Sequence, residues 1–112
     1  MSKRILLSKF IDSNDHKDPH IIINGINYFY DEDLLFFNLI LSIKHGMCYY
    51  DIKFINTTEF SINSVNHYVH VLGFEIIDHK DDGYSIENRY EIYDYEDEII
   101  KFYCQDILIN KL

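Results

Sequence analysis

The chain of 112 residues contains no tryptophan, no alanine, one proline and four glycines. This composition excludes collagen-like repeats and glycine- or proline-rich linkers, and we expect a single globular domain over residues 1–112. The two cysteines, Cys48 and Cys104, lie far apart and form no CxxC motif, so neither a zinc knuckle nor a redox pair is indicated. We therefore expect both thiols to be reduced and partly buried.

Long apolar runs are also missing. The longest, residues 34–43, is interrupted by Asn38 and Ser42. It has about half of the roughly 20 residues that a membrane-spanning helix needs. The start of the chain, MSKRILLSKF, has a short apolar stretch and no small-residue cleavage site, unlike a secretory signal. We therefore expect a cytoplasmic protein that does not contact membranes.

Basic side chains are few, since 10 lysines and arginines stand against 19 acids and give a net charge of −9. Affinity for nucleic acid comes mainly from lysine and arginine side chains that neutralise phosphates. The charge therefore argues against nucleic acid as a partner and favours a basic protein.

The residue pattern predicts an α+β fold, with a mixed or antiparallel sheet of five or six strands and three helices packed mainly on one face. Strands are expected over residues 3–10, 21–23, 26–30, 48–55, 74–78 and 84–93, and helices over residues 34–44, 62–72 and 96–110. Ser61 or Asn63 would cap the second helix. The isoleucines of the tail, residues 96–110, leave a strand open as the alternative there.

Turn signals separate these segments. Asn24-Gly25 predicts a tight hairpin turn, and Gly46 would end the first helix. Further turns are expected at residues 56–58 and 81–83. The strand over residues 84–93 is expected to end or carry a bulge between Ile92 and Tyr93, and a fold-back at Glu87-Asn88 is the alternative.

Most of the charge lies in one segment. Residues 75–98 contain ten acids and two bases, a net −8 of the total −9, together with four tyrosines. Carboxylates steer the approach of a basic partner, and tyrosines supply stiff, amphipathic contact area. We expect a partner-binding face formed by Asp81, Asp82, Tyr84, Glu91, Tyr93, Asp94, Tyr95, Glu96, Asp97 and Glu98. The alternative is a solvated acidic surface, in which Glu96, Asp97 and Glu98 only stabilise a helix N-terminus.

The histidines suggest a second hypothesis. His67 and His70 are three positions apart on an expected helix, and Glu75, Asp78 and His79 follow soon after. A zinc or iron site could be assembled from them, but ordinary surface histidines on a polar helix face explain the spacing better. The sequence has no GxSxG elbow and no glycine-rich phosphate loop, so we assign no catalytic residue and no cofactor.

Residues 67–77, HYVHVLGFEII, followed by DDGYSI at residues 81–86, resemble a segment of the vicinal oxygen chelate superfamily, the glyoxalase and bleomycin-resistance fold. The resemblance implies the helix-to-strand join of a βαβββ module in a small metal-dependent enzyme or ligand-binding domain. The metal-binding histidine of that family has no counterpart in residues 47–54.

In its size, acidity and Tyr/Asp/Glu-rich segment 90–98, the chain also resembles the small immunity proteins of bacterial toxin systems, such as contact-dependent inhibition toxins and nuclease colicins. The resemblance implies a stoichiometric, non-enzymatic inhibitor that covers the active site of a basic toxin, often a nuclease. The same charge would suit a phage-encoded inhibitor or DNA mimic such as an anti-CRISPR. A third class is a homodimeric accessory protein that associates through the apolar tail, residues 107–112.

Overall fold

The computed structural model describes residues 3–11, 21–62, 69–71, 74–94 and 100–112, and these residues are mostly β-strand. A short 3-10 helix, Ile86–Asn88, precedes the eighth strand. The remaining elements are β1 (Lys3–Leu6), α1 (Leu7–Ile11), β2 (Ile21–Asp31), β3 (Phe36–His45), β4 (Cys48–Ile55), β5 (Thr58–Ile62), β6 (Val69–Val71), β7 (Phe74–Asp78), β8 (Tyr90–Asp94), β9 (Ile100–Cys104) and β10 (Asp106–Lys111).

The described strands form two antiparallel sheets of five strands each. Sheet I has the order β1-β7-β8-β9-β5, and sheet II has the order β10-β4-β3-β2-β6. Among its passages between the sheets, the chain crosses from sheet II to sheet I between β4 and β5 and from sheet I to sheet II between β9 and β10. These two crossings lie side by side, because the Gln105 N–H donates to the Ile55 carbonyl at 2.8 Å and the Asn56 Nδ2 donates to Gln105 Oε1 at 3.2 Å.

The core lies between the two sheets. Alternate side chains of each sheet point inward, as the period of a strand requires. The Phe54 ring of sheet II packs edge-on against the Phe102 ring of sheet I, with 4.8 Å between centroids. Both rings are fully buried, together with isoleucines and leucines from the inner faces of both sheets. The fold is therefore a β-sandwich with one apolar layer.

The expected α+β fold is wrong, because α1 is the one α-helix of the described residues and it has five residues. Residues 34–44 were expected to form a helix, but β3 occupies Phe36–His45. Leu39, Leu41 and Ile43 are buried at every second position. Apolar residues this dense satisfy both the helical and the strand period, and pairing with β4 across the Gly46-Met47 turn selects the strand. Gly46 has φ +62°, a conformation common to helix ends and hairpin turns.

The helix expected over residues 96–110 is also wrong. Within this range the structure describes β9 and β10, which are separated by Gln105. Ile100, Phe102 and Cys104 are buried with period two, which is the pattern of a strand with one face on a core. The β-branched isoleucines favour the strand that was left open as the alternative.

The hairpin turn expected at Asn24-Gly25 does not form, since β2 runs through it without a break. The register against β3 shifts by one residue between Ile23 and Gly25, so Asn24 is the extra residue of a bulge. The bulge lets Ile23 and Ile26 face the same side although they are three positions apart. Space is tight at Gly25, because a Cβ atom there would lie 3.1 Å from the Ser42 Cβ and Ser42 would have to shift slightly.

Two further strands and one turn are confirmed, and the remaining expectations are confirmed only in part or are wrong. The strands over Cys48–Ile55 and Phe74–Asp78 have the expected bounds, and residues 81–83 form a turn with Gly83 at φ +77°. The first strand ends at Leu6, before α1. The strand end or bulge expected between Ile92 and Tyr93 is wrong, because β8 continues to Asp94 with unbroken register and alternating burial. The strand expected over residues 84–93 begins only at Tyr90, after the 3-10 helix. Of the helix expected over residues 62–72, Ile62 lies in β5 and Val69–Val71 form β6, whereas residues 63–68 and 72 lie outside the described residues.

Within the described ranges, no helix combines the length and the apolar character needed to cross a membrane.

Candidate functional site

The outer face of sheet I carries most of the described residues of the acidic segment. On β8, Glu91 and Tyr93 alternate with the buried Ile92 and so point outward, and on β9 Lys101 and Tyr103 do the same around Phe102. The loop of residues 79–89 joins β7 to β8 and folds back over this face. Its far end reaches β5, where the Thr58 hydroxyl lies 3.2 Å from Asn88 Oδ1.

A histidine between two carboxylates fastens the loop to the sheet. The His79 Nδ1 lies 2.7 Å from Asp82 Oδ2, and its Nε2 lies 2.8 Å from Glu91 Oε1. Asp82 belongs to the loop and Glu91 to β8, so the imidazole ring joins the two elements. Both ring nitrogens can donate at once only when the ring is protonated. With both carboxyl groups ionised, the arrangement is that of an imidazolium held between two carboxylates.

Burial and the two carboxylates act on the His79 pKa in opposite directions. Burial is the largest single effect and disfavours the charged form, but the hydrogen bonds and charges of Glu91 and Asp82 together outweigh it. The pKa of His79 is therefore raised above its ordinary value. The hydrogen bond from His79 lowers the pKa of the Asp82 carboxyl.

Tyr84 lies flat on this histidine. The two rings are 4.0 Å apart between centroids and 11° from parallel. The Tyr103 ring is 6.5 Å from the Tyr84 ring, and the Lys101 ammonium lies 5.8 Å from the ring centroids of both Tyr93 and Tyr103. Stacking, cation–π contacts and the fixed histidine hold these rings in place. We call the surface formed by Tyr84, Tyr93, Tyr103 and the neighbouring Asp81 and Glu87 the tyrosine face.

Several acids of the segment are compensated within the molecule. Asp78 accepts hydrogen bonds from Arg89 Nε and Nη2, each at 3.3 Å. Burial raises the pKa of Asp78, but these bonds and the Lys80 backbone N–H lower it by more, so the net shift is downward. The Glu91 Oε2 lies 4.0 Å from the Lys101 ammonium, in addition to the contact with His79. Asp81 and Glu87 are exposed on the loop and carry the outward negative charge.

The structure brings together part of the predicted binding face. Tyr84 and Asp81 are exposed, whereas Asp82, Glu91 and Tyr93 are half-buried. Asp94 has 0% exposure, because it lies on the inner side of β8 in line with Ile92. Its side chain is not on the surface, and we leave it out of the face. Tyr95, Glu96, Asp97 and Glu98 lie outside the described residues.

Three residues of this site, His79, Lys101 and Tyr103, were not predicted from the sequence to lie beside Tyr84 and Tyr93. His79 was considered only as a metal ligand, and Lys101 and Tyr103 were placed in a helix. The antiparallel register pairs Glu91 with Tyr103 and Tyr93 with Lys101. The period-two alternation of residues 100–104 was the signal that could have placed both side chains on this face.

The metal hypothesis gains no support from the described part of the chain. No group of three or more His, Cys, Asp or Glu side chains there has an arrangement that could hold a metal ion. His67 lies outside the described residues, and the backbone of His70 belongs to β6, a strand and not the expected helix. Both nitrogens of His79 are occupied by carboxylates. This ring is therefore a structural tie and is poorly placed to act as a base or a metal ligand.

A pocket opens at the other side of β7. Its volume is about 510 Å³, and it is lined by Arg4, Ile5, Phe10, Ile76, Asp78 and Tyr90. The lining is mainly apolar, and Arg4 and Asp78 supply its charged groups. The pocket has the size of ligand sites in general and can take an apolar group with a polar end.

Comparison with protein-family models, with curated proteins and with solved structures finds no match to this chain.

Proposed function

We propose that this protein is a non-enzymatic inhibitory binding protein that covers the active site of a basic toxin, in the manner of an immunity protein. One observation carries the proposal: the tyrosine face is fixed before any partner arrives. Tyr84 is stacked on a histidine whose two nitrogens are both bound, so its exposed ring is presented in one orientation. Rigid aromatic anchors are typical of the residues that dominate binding energy at protein interfaces.

Charge gives the class of the partner. The exposed acids Asp81 and Glu87 lie on the same loop as Tyr84, and the whole chain has a net charge of −9. A basic surface, such as the phosphate-binding site of a nuclease, is complementary to this arrangement. Association is therefore expected to be fast at low salt and slower at high salt, because salt screens exposed charges over about 10 Å at 0.1 M.

The test is an affinity pull-down from the native source at low and high salt, with mass spectrometry as the readout. The variant D81N/E87Q removes two negative charges from the tyrosine face. The control N27K/N110K makes the same change in net charge at exposed positions of sheet II. Recovery of one basic protein in near one-to-one amount with the wild type and the control, and weak recovery with D81N/E87Q, is the expected result.

The aromatic contribution is tested with the recovered protein. Tyr84→Ala should weaken binding by about 30-fold or more, the loss expected for a central aromatic anchor, whereas Tyr84→Phe keeps the stacked ring and should bind with similar affinity. If D81N/E87Q and Tyr84→Ala both bind as the wild type does, the tyrosine face is not the interface. Recovery of a phage-defence nuclease in place of a toxin would identify the inhibitor as the phage type.

A further inference from the structure

The β2–β3 hairpin extends the inner face of sheet II beyond the sandwich. After the bulge, Ile26, Tyr28 and Tyr30 face the same side as the core residues, opposite Leu41, Leu39 and Phe37 in the register. Leu39 and Leu41 are fully buried, whereas Ile26, Tyr28, Tyr30 and Phe37 are between 40 and 47% exposed. The inner face passes from buried to exposed beside Phe60, because β5, which carries Phe60, is the edge strand of sheet I. The Phe60 ring lies 5.1 Å from the Tyr28 ring, between centroids.

The exposed rings are packed on one another. Tyr28 is stacked on Phe37 with 4.9 Å between centroids and 8° between planes, and Tyr30 meets Phe37 edge-on at 5.1 Å. A surface that is already ordered loses little conformational entropy when a partner binds. We define the hairpin patch as Ile26, Tyr28, Tyr30 and Phe37, together with Leu34 and Leu35 of the turn that connects β2 to β3.

The turn itself presents apolar side chains to solvent. Leu34 is 58% and Leu35 is 74% exposed, and Leu35 has φ +61°, a left-handed conformation that is unfavourable for leucine. The Leu35 N–H donates to the Asp31 carbonyl at 2.8 Å, and Asp31 Oδ1 accepts from the Asp33 and Leu34 N–H groups. A strained, exposed leucine in a well-fixed turn contributes little to the core. The left-handed conformation belongs to the hairpin turn, but leucine is strained there where glycine or asparagine would not be, and such strain is a feature of binding sites.

The negative charge beside the hairpin patch indicates which kind of partner would bind there. Asp31, Glu32 and Asp33 are consecutive at the tip, directly before the two leucines. A second copy docked tip to tip would bring six carboxylates together, in a chain that is already strongly negative. A basic surface with an apolar centre is complementary to both parts of the site.

We propose that the hairpin patch is a docking site for a basic protein, which inserts apolar side chains between the aromatic rings and the leucines and places lysines or arginines against the acidic tip. The proposal takes its partner class from the proposed function but concerns a different surface from the tyrosine face. Each surface can therefore be tested without the other.

The experiment uses amide NMR spectra of the full chain and three peptide probes. One probe alternates arginine and leucine, the second arginine and serine, and the third glutamate and leucine. The arginine–leucine peptide should shift the amide signals of Tyr28, Tyr30, Leu35 and Phe37, and each of the other two should bind at least tenfold more weakly. Signals of Tyr84 and Tyr93 report on the tyrosine face in the same spectra.

The variant Leu35→Asn removes apolar area at a position whose backbone conformation suits asparagine. It should fold at least as stably as the wild type and bind the arginine–leucine peptide about tenfold more weakly. Met47→Asn is the control, because Met47 is 91% exposed in the turn at the other end of β3. This variant should bind the arginine–leucine peptide as the wild type does.

Four results would overturn the docking site. Shifts confined to the tyrosine face would reject the hairpin patch and leave the proposed function intact. Equal binding of the glutamate–leucine peptide, or no binding of any peptide, would reject a basic partner at this site. A concentration-dependent dimer in sedimentation experiments that Leu35→Asn abolishes would assign the patch to a second copy, whatever the pull-down recovers.

Discussion

A single side chain, His79, connects the loop of the tyrosine face to the sheet beneath it. We predict that His79→Gln lowers the free energy of unfolding by about 2 kcal/mol near pH 6. Glutamine is neutral and has both N–H groups on one nitrogen, so it does not span Asp82 and Glu91 as the ring does, and the positive charge between the two carboxylates is lost. Chemical denaturation of the wild type and the variant measures the difference.

The same bridge should make stability depend on pH in a defined direction. Because the pKa of folded His79 is raised, the folded state keeps its proton where the unfolded chain, with a pKa near 6.5, releases it. The stabilisation is complete below pH 6.5 and declines as the pH rises through the higher folded value. At the acid end, the lowered pKa of Asp82 means that its contribution is lost as the pH falls below 3.8.

Denaturation curves at several pH values between 5 and 9 test this dependence. The difference in unfolding free energy between the wild type and His79→Gln should be largest at the acid end of that range and should decrease towards pH 9. A difference in unfolding free energy that stays constant across the range would show that the pKa of His79 is the same in the folded and unfolded states, and a difference that widens with pH would show that the folded ring is neutral.

The two cysteines should differ in reactivity. Cys104 is fully buried and burial raises the pKa of its thiol, whereas Cys48 is half-buried. The thiolate is the reactive species, so we predict that Ellman's reagent modifies only Cys48 in the native protein. Cys48→Ser should then show no fast reaction, and both thiols of the wild type should react in denaturant. Fast modification of Cys104 in the native protein would contradict its burial.

At the scale of elements, the bulge in β2 decides which side chains of the hairpin face the core. We predict that Gly25→Ala destabilises the protein by about 1 kcal/mol, because the added methyl group would lie 3.1 Å from Ser42 Cβ and 3.2 Å from Ser42 Oγ. Thermal unfolding of the wild type and Gly25→Ala measures the effect.

Ser42→Gly removes the group that the new methyl would meet. In its presence Gly25→Ala should be close to neutral or stabilising, since alanine limits the freedom of the unfolded chain more than glycine does. The double-mutant cycle isolates this contact from the loss of the Ser42 hydrogen bond to Asp51. Equal costs in both backgrounds would mean that Gly25 is needed for a reason other than space.

Element type was predictable only in part. The strands at Cys48–Ile55 and Phe74–Asp78 are short, β-branched and bounded by turn residues, so local pattern sufficed. In residues 34–44 and 96–110 apolar residues are so frequent that a helical stripe and a strand alternation can both be drawn. Neighbouring strands decided between them, because a strand satisfies its backbone groups through partners that are distant in sequence.

On the scale of the whole molecule, stability depends on the single apolar layer between the sheets. We predict that Phe102→Ala lowers the free energy of unfolding by about 3–5 kcal/mol, because its ring is fully buried against Phe54 and Phe60. Phe102→Leu keeps most of the volume and should cost less than about 1.5 kcal/mol, so it remains measurable if the alanine variant fails to fold.

Leu108→Ala on β10 is the control, since Leu108 is mostly exposed and should change stability by less than about 0.5 kcal/mol. Urea denaturation of the three variants gives the comparison. A similar cost at Phe102 and Leu108 would contradict a core placed between the two sheets.

The sequence by itself determined the acidity of the molecule, the absence of motifs for common catalytic sites, two strands with their bounds, and a tyrosine-rich acidic segment around residues 75–98. These follow from composition and from local pattern. Tertiary structure decided that Asp94 is buried, that Asp82 and Glu91 share His79, and that Tyr103 joins Tyr84 on one face. The physical reason is strand pairing: in an antiparallel sandwich, register between distant segments determines which side each side chain faces and which charges meet.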